Sequence, residues 1–173
     1  LYRYKKGQKK EIYLKDEKAL NDYLIETGIE TSSFEGVGIK DLKEFLKIVA
    51  AYRSVLKELE KRFSIISVIR YLIENKDLIQ NDNKKLFAII KKFLEKQGHN
   101  ILNSYVNESE IRIFVQTENG LDELIISEAL FTNPLYEEAL FIYEKIKERD
   151  FDLGKDILEF LDEIEKNAKK GAY

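Results

Sequence analysis

The 173-residue sequence contains no cysteine, and that absence closes several routes at once. Disulfides, cysteine nucleophiles and thiolate metal sites are excluded, which suits a cytosolic chain without requiring one. There is one histidine, His99, between Gly98 and Asn100. With no second imidazole the usual zinc sites cannot be assembled, so His99 reads as a polar loop residue rather than a base or ligand. The one proline follows an asparagine, at Asn133-Pro134, where it starts a helix rather than breaking one. No apolar run approaches the roughly 20 residues of a membrane span, and no stretch has the pattern of a signal peptide. The expectation is a cytoplasmic protein without membrane contact. No segment repeats with a period of about 20–50 residues, which excludes a solenoid.

Signatures of chemistry are equally scarce. Neither a glycine-rich phosphate loop nor a serine-nucleophile motif occurs, so nothing in the sequence shows a site for ATP. Glu108 and Glu110 stand two apart. Such a pair can hold magnesium or do acid–base work. Here it reads as a hairpin tip, since acids are scattered throughout and nothing favours these two.

What is present is charge, unevenly placed. With 35% charged residues and a formal net charge of −3, the surface is well solvated. The first ten residues carry Arg3, Lys5, Lys6, Lys9 and Lys10 with no acid, whereas 118–128 carries acids and no base. A length of 173 residues allows one domain or two small ones. The chain has no initial methionine and opens inside a strand pattern, so a piece of a longer protein is expected.

Periodicity predicts an α+β fold: an N-terminal β-hairpin and helix, a helical hairpin or bundle, a three-stranded antiparallel sheet and two C-terminal helices. Tyr2 and Tyr4 alternate with Arg3 and Lys5, and Ile12 and Leu14 with Glu11 and Tyr13. A two-residue turn on Gly7 would pair Tyr2 with Tyr13 and Tyr4 with Glu11. Asp16 is the expected cap of a helix with the stripe Ala19, Leu20, Tyr23 and Leu24, stopping at Gly28. A connector over 29–38 follows, with Phe34 and Val37 in a short extended piece. Leu42, Phe45, Val49, Tyr52, Leu56, Leu59 and Phe63 form a heptad seam on a long helix. That seam suits an antiparallel neighbour within the chain, or an intermolecular coiled coil.

Ser64 is placed to cap a short buried helix over 65–74. The next helix starts at Asp82 or Asn83 and turns Leu86, Phe87, Ile89, Ile90, Phe93 and Leu94 inward. Its Lys84, Lys85, Lys91, Lys92 and Lys96 face out, either as a solvated face or as phosphate contacts. Strands are expected over 101–106, 111–117 and 121–126, the last two joined at Asn119-Gly120. The final helices carry Tyr136, Ala139, Leu140, Tyr143 and Ile146, then Ile157, Leu158, Leu161, Ile164 and Ala168.

The opening stretch LYRYKKGQKKEIYLKDEKALNDYL, with Leu1-Tyr2, Gly7, Tyr13 and Asp16-Glu17, resembles the hairpin and helix that follow the Toprim core in the B subunit of DNA gyrase. The end, Lys169-Lys170-Gly171-Ala172-Tyr173, is where such a protein would run on into its Arg-Tyr-Lys-Gly-Leu-Gly-Glu motif. The layout is similar to that of Gram-negative-type gyrases, which place a large domain between the two. The resemblance implies residues 1–28 continuing the Toprim region, an inserted α+β domain over 29–168, and a return at 169–173. It implies a parent enzyme, an ATP-dependent type II topoisomerase that negatively supercoils DNA, needs magnesium, and pairs two gyrase B with two gyrase A subunits. The family's catalytic glutamate, Asp-x-Asp pair and Arg-Tyr-Lys-Gly-Leu-Gly-Glu motif would lie outside these residues. This fragment is therefore expected to be non-catalytic, with no cofactor or metal of its own. Its candidate DNA contacts are Arg3, Lys5, Lys6, Lys9 and Lys10 on the hairpin and Lys84, Lys85, Lys91 and Lys92 on the helix. Two other readings stay open: a free-standing interaction module on the 42–63 seam, or a small nucleic-acid-binding domain using the hairpin.

Overall fold

The computed structural model describes residues 2–6, 10–14, 17–31, 38–79, 81–149 and 151–171. They form an α+β fold that divides into two compact units, 1–53 with 144–173, and 54–143. The division falls within two helices, at Arg53/Ser54 and at Tyr143/Glu144. Asp16, Phe34, Val37 and Lys9 lie outside the described residues.

The first unit opens with the expected antiparallel pair, β1 (Tyr2–Lys6) and β2 (Lys10–Leu14). Its register differs by one residue from the expected one: Tyr2 pairs with Leu14, Tyr4 with Ile12 and Lys6 with Lys10. Three residues rather than two therefore separate the strands. A two-residue turn and a three-residue connection both fit the same glycine, and the one-residue slip between them changes every cross-strand partner.

Helix α1 (Glu17–Thr31) runs through Gly28 instead of stopping there. Gly28 is buried inside the helix because α7 (Ile157–Gly171) crosses at that point. A Cβ at Gly28 would come within 2.1 Å of the Ile164 carbonyl oxygen. The buried residues of α1 are Asn21, Leu24, Ile25, Thr27, Gly28 and Ile29; of the expected stripe Leu24 is buried, while Ala19, Leu20 and Tyr23 are half-buried.

Helix α2 (Ile39–Glu60) lies antiparallel to α1. Arg53 on α2 reaches Asn21 on α1, and Lys47 reaches Glu26, so the residue numbers run in opposite directions. The Arg53 guanidinium also holds two acids of α7, Glu165 at 2.6 Å and Asp162 at 3.1 Å, tying three helices together. Glu44 meets Arg149 at 3.6 Å, and Phe45 packs its ring 4.7 Å from that of Phe151.

In the second unit the end of α2 is followed by α3 (Ile66–Glu74), whose Val68, Ile69, Leu72 and Ile73 are buried. Ser64 does not cap it. The cap position is Ile65, which has no side-chain cap bond and sits in the left-handed region at φ 55°. A single 3-10 turn, Lys76–Leu78, leads to α4 (Asn83–Lys96). Asp82 settles the start of α4 by accepting from the backbone N–H of Lys84 at 2.9 Å and of Lys85 at 3.5 Å. Leu86, Ile90 and Leu94 are buried, and Tyr71 of α3 stacks on Phe93 at 4.4 Å.

The sheet β3 (Asn100–Val106), β4 (Glu110–Thr117) and β5 (Gly120–Ser127) is antiparallel in the order β3-β4-β5. Ile111, Ile113 and Val115 alternate inward on β4, and Leu124 and Ile126 join them from β5. The β4–β5 link occupies Glu118 and Asn119, not Asn119-Gly120, since Gly120 at φ 112° already pairs with Thr117. The glycine is needed at the strand end, where the chain re-enters the ladder. Helix α5 (Glu128–Phe131) and the first part of α6 (Pro134–Arg149) complete the unit. Asn133 caps α6, accepting from Leu135 N–H at 2.8 Å.

Candidate nucleic-acid interface

The candidate cations fall into two groups, one in each unit. On the hairpin, Arg3, Lys5, Lys6 and Lys10 occupy strand positions, and Lys9 lies outside the described residues. The register sets Lys5 across from an acid, Glu11, and Lys6 across from another base, Lys10. Like charges at directly opposed strand positions are unfavourable. The Lys6/Lys10 pairing is hidden in the sequence because it depends on a three-residue connection that composition does not specify.

On α4 the geometry is complete. Lys84, Lys85, Lys91 and Lys92 are all exposed. Residues seven apart share a helical face, so the pairs 84/91 and 85/92 form a stripe with about 10 Å between its ends. None of the four ammonium groups has a hydrogen-bond or ion-pair partner among the described residues. Two of them stand in the first turn of the helix, which contains no acid. The Asp82 carboxylate at the cap offsets part of the positive charge that the peptide dipoles, Lys84 and Lys85 bring to this end. Of the other bases of the second unit, Lys61 pairs with Glu58, Arg70 with Glu74, and Arg112 with Glu110 and Glu123, whereas Lys57, Arg62 and Lys96 have no ion pair among the described residues. The stripe is thus a local surplus of charge that can neutralise phosphates without reading bases.

The residues considered for other chemistry have ordinary roles. His99 is half-buried between α4 and β3, its backbone N–H donating to the Leu94 carbonyl. Glu110 pairs with Arg112, and Glu108 stands exposed in a turn where the Asn107 side chain accepts from Ser109 and Glu110 N–H. Among the described residues no group of three or more His, Cys, Asp or Glu is arranged to hold a metal ion. No helix there is long and apolar enough to cross a membrane.

No family model matches the chain. Individual relatives do. It is 66% identical over 172 residues to the DNA gyrase B subunit of Campylobacter jejuni, a match covering 99% of this chain and 22% of that protein. It is 45% identical over 174 residues to the DNA gyrase B subunit of Helicobacter pylori, again over 99% of the chain and 22% of the relative. A more distant DNA gyrase B subunit, from Rickettsia bellii, is 28% identical over 177 residues. The chain spans about a fifth of the length of the curated relatives it matches. Aligned almost end to end with one stretch of these proteins, the chain belongs to the DNA gyrase B family.

Proposed function

We propose that this chain is a non-catalytic segment of a gyrase B subunit: the end of the Toprim region over 1–28, an inserted domain over 29–168 and a return at 169–173. It modulates how the intact enzyme holds DNA. The parent is an ATP-dependent, magnesium-dependent type II topoisomerase that negatively supercoils DNA with the gyrase A subunit in the cytoplasm. ATP and magnesium act on parts of the parent protein outside these residues. The alignment over 99% of the chain supports the family, and the observation that carries the DNA-contact role is the unpartnered lysine stripe of α4. The Lys6/Lys10 juxtaposition supports a second, smaller contribution from the hairpin.

The interaction-module reading draws less support. Its seam residues Leu42, Phe45, Val49, Tyr52, Leu56 and Leu59 are already buried within the chain, and Phe63 is half-buried.

Salt dependence tests the proposal. Each phosphate neutralised contributes about 0.9 to the slope of log K against log salt on duplex DNA. Changing Lys84, Lys85, Lys91 and Lys92 together to Ala in the intact gyrase B chain, assembled with its gyrase A partner, should flatten that slope by about 2 to 4. Affinity should fall by a similar factor on every sequence. An unchanged slope removes α4 from the DNA path, and the same experiment on Lys5, Lys6, Lys9 and Lys10 decides the hairpin.

A further inference from the structure

The three-stranded sheet of the second unit has two edges, and they are built differently. At the β3 edge the register slips between Ile101 and Asn103, and the residue left over, Leu102, is 53% exposed. A bulge of this kind turns an edge away from further pairing. The β5 edge has no such device. All eight residues of β5 pair with β4 in unbroken register, and the strand contains neither proline nor lysine.

The register also tells which main-chain groups of β5 are free. Thr117 and Gly120 close a two-residue connection and so form a hydrogen-bonded pair, and along an antiparallel ladder such pairs alternate with unbonded ones. The bonded positions on β5 are therefore 120, 122, 124 and 126. The N–H and C=O groups of Leu121, Glu123 and Ile125 point away from β4, and among the described residues they have no partner. This edge is open to solvent. Leu121 is 61% exposed and Ile125 37% exposed, both on the face of the sheet opposite the buried Leu124 and Ile126. Donors and acceptors repeating every second residue, about 7 Å apart, match the backbone of another extended segment and of nothing else.

Charge selects among extended segments. From Asn100 to Ser127 there are five acids and one base. That base, Arg112, is shared between Glu110 at 3.2 Å and Glu123 at 3.4 Å. Asp122 accepts from the Thr117 hydroxyl at 2.9 Å, and neither it nor Glu108 nor Glu118 has an ion pair among the described residues. The elements around the strand do not reverse the sign. Helix α4, with its lysines, packs chiefly on β3 and β4, and α5 carries Glu128 and no base. Lys76, which borders a cleft at the Ser127 end, is already engaged. An acidic edge disfavours a polyanion. It also disfavours a second copy of itself. The antiparallel register that sets Leu121 of one copy against Ile125 of the other sets the two Glu123 side chains directly opposite each other.

We infer that the free edge of β5 takes an extended segment of a partner protein as a fourth strand. A lysine or arginine of that segment lies across from Glu123, and apolar residues two positions to either side lie across from Leu121 and Ile125. Main-chain bonds to residues 121, 123 and 125 hold the segment, and the two-residue period puts its base and both apolar side chains on one face. This surface is separate from the α4 stripe and does not rest on the DNA-contact reading.

The test is hydrogen exchange of the isotope-labelled 173-residue chain, read at single amides. The probe is the capped peptide Thr-Val-Thr-Lys-Thr-Val-Thr. The amides of Leu121, Glu123 and Ile125 exchange fast in the chain alone, and at saturating peptide each should slow by at least about tenfold. Those of residues 122, 124 and 126, already in the ladder, should change little. Glutamate in place of the peptide's lysine should weaken binding by about fivefold, the upper range for one cross-strand charge pair, and Glu123→Gln should remove most of that difference. A peptide N-methylated on the residues that face β5 has lost its donors and should not bind. Ile125→Pro removes an N–H that no ladder bond uses, so the sheet keeps its pairing while the peptide binds at least about tenfold more weakly. Should that variant fail to fold, the N-methylated peptide makes the same test from the other side. The inference is overturned if the probe gives no saturable protection at millimolar concentration, or if the glutamate peptide protects equally. It is overturned if the N-methylated peptide or folded Ile125→Pro binds like the parent, or if Glu123→Gln leaves the charge preference intact. Protection of the three amides that grows with chain concentration alone would make a second copy the occupant, and protection by a single-stranded oligonucleotide but not by the peptide would make it nucleic acid; either overturns the inference. None of these outcomes bears on the α4 salt slope, so the two proposals stand or fall separately.

Discussion

Two single positions show how much of this fold rests on close fit. Gly28 carries no side chain because the Ile164 carbonyl occupies the place of its Cβ. A backbone oxygen cannot swing aside, so Gly28→Ala should destabilise the chain by about 3 kcal/mol in denaturant titration, the upper part of the usual cost of overpacking. Tyr136 is the opposite case, a well-packed ring with an unsatisfied hydroxyl; Phe131 meets it edge-on at 5.5 Å. Burial pushes the Tyr136 phenol well above its ordinary value near 10. The folded state then keeps a proton that the unfolded state releases, so this residue's contribution holds below about pH 10 and is lost as pH climbs beyond it. Tyr136→Phe removes both effects. The variant should be about 1 kcal/mol more stable than the parent at neutral pH, and its advantage should widen above about pH 10. A constant difference across that range would show that the phenol is not held protonated by the fold. Neither position is legible as such in the sequence. A glycine late in a helix reads as a stop until a crossing helix is known, and nothing along the chain says whether a tyrosine hydroxyl finds a partner.

At the scale of elements, patterns that depend on neighbours in sequence are legible and those that depend on a partner element are not. The α2 seam, the alternation of β4 and the Asn133 cap are written locally, because 3.6- and two-residue periods and short-range capping bonds need no distant chain. The β1–β2 register and the β4–β5 turn each differ by one residue from expectation, since several turn types fit the same glycine. The start of α3 also departs from the expected serine cap. Ile65 adopts a left-handed conformation that disfavours branched side chains, at a cost of about 1–3 kcal/mol that the burial of α3 offsets. Comparing two truncations isolates the backbone contribution: Ile65→Gly should be about 1 kcal/mol more stable than Ile65→Ala, as both lose the side chain and only glycine accepts φ 55° freely. Equal stabilities would mean that the α3 start relaxes out of the left-handed region. Arg53 belongs at this scale too, since it joins α1, α2 and α7 through Asn21, Asp162 and Glu165. The Arg53 and Glu165 side chains are 14% and 13% exposed. Arg53→Met keeps the stem and removes the charge, and should cost about 3 kcal/mol by leaving Glu165 desolvated and unpaired. Restoring stability with a paired Glu165→Gln change would confirm that the loss is electrostatic.

For the whole molecule, the net charge of −3 is a poor guide to what the surface attracts. The α4 lysines are close together and have no ion-pair partner among the described residues, and a phosphate backbone responds to local potential rather than to the sum. The consequence for a full-length gyrase B chain is specific. On the proposed role, removing the α4 lysines should weaken DNA binding without altering ATP hydrolysis measured in the absence of DNA, because the sequence shows no glycine-rich phosphate-loop motif. A fall in DNA-free hydrolysis would move the role of this segment from holding DNA to coupling within the enzyme.

The sequence by itself determined the α+β class, nearly every element and the family, through local periodicity and through the Leu1–Thr27 and Lys169–Tyr173 stretches that carry the resemblance. It also marked all nine candidate cations. Only the tertiary structure decided which of the α4 lysines lack counter-ions and that Gly28 is a crossing point rather than an end. The reason is range. Helix and strand periods and caps are set by contacts a few residues apart, whereas pairing, burial and cleft shape depend on residues tens of positions away that only the folded chain brings together.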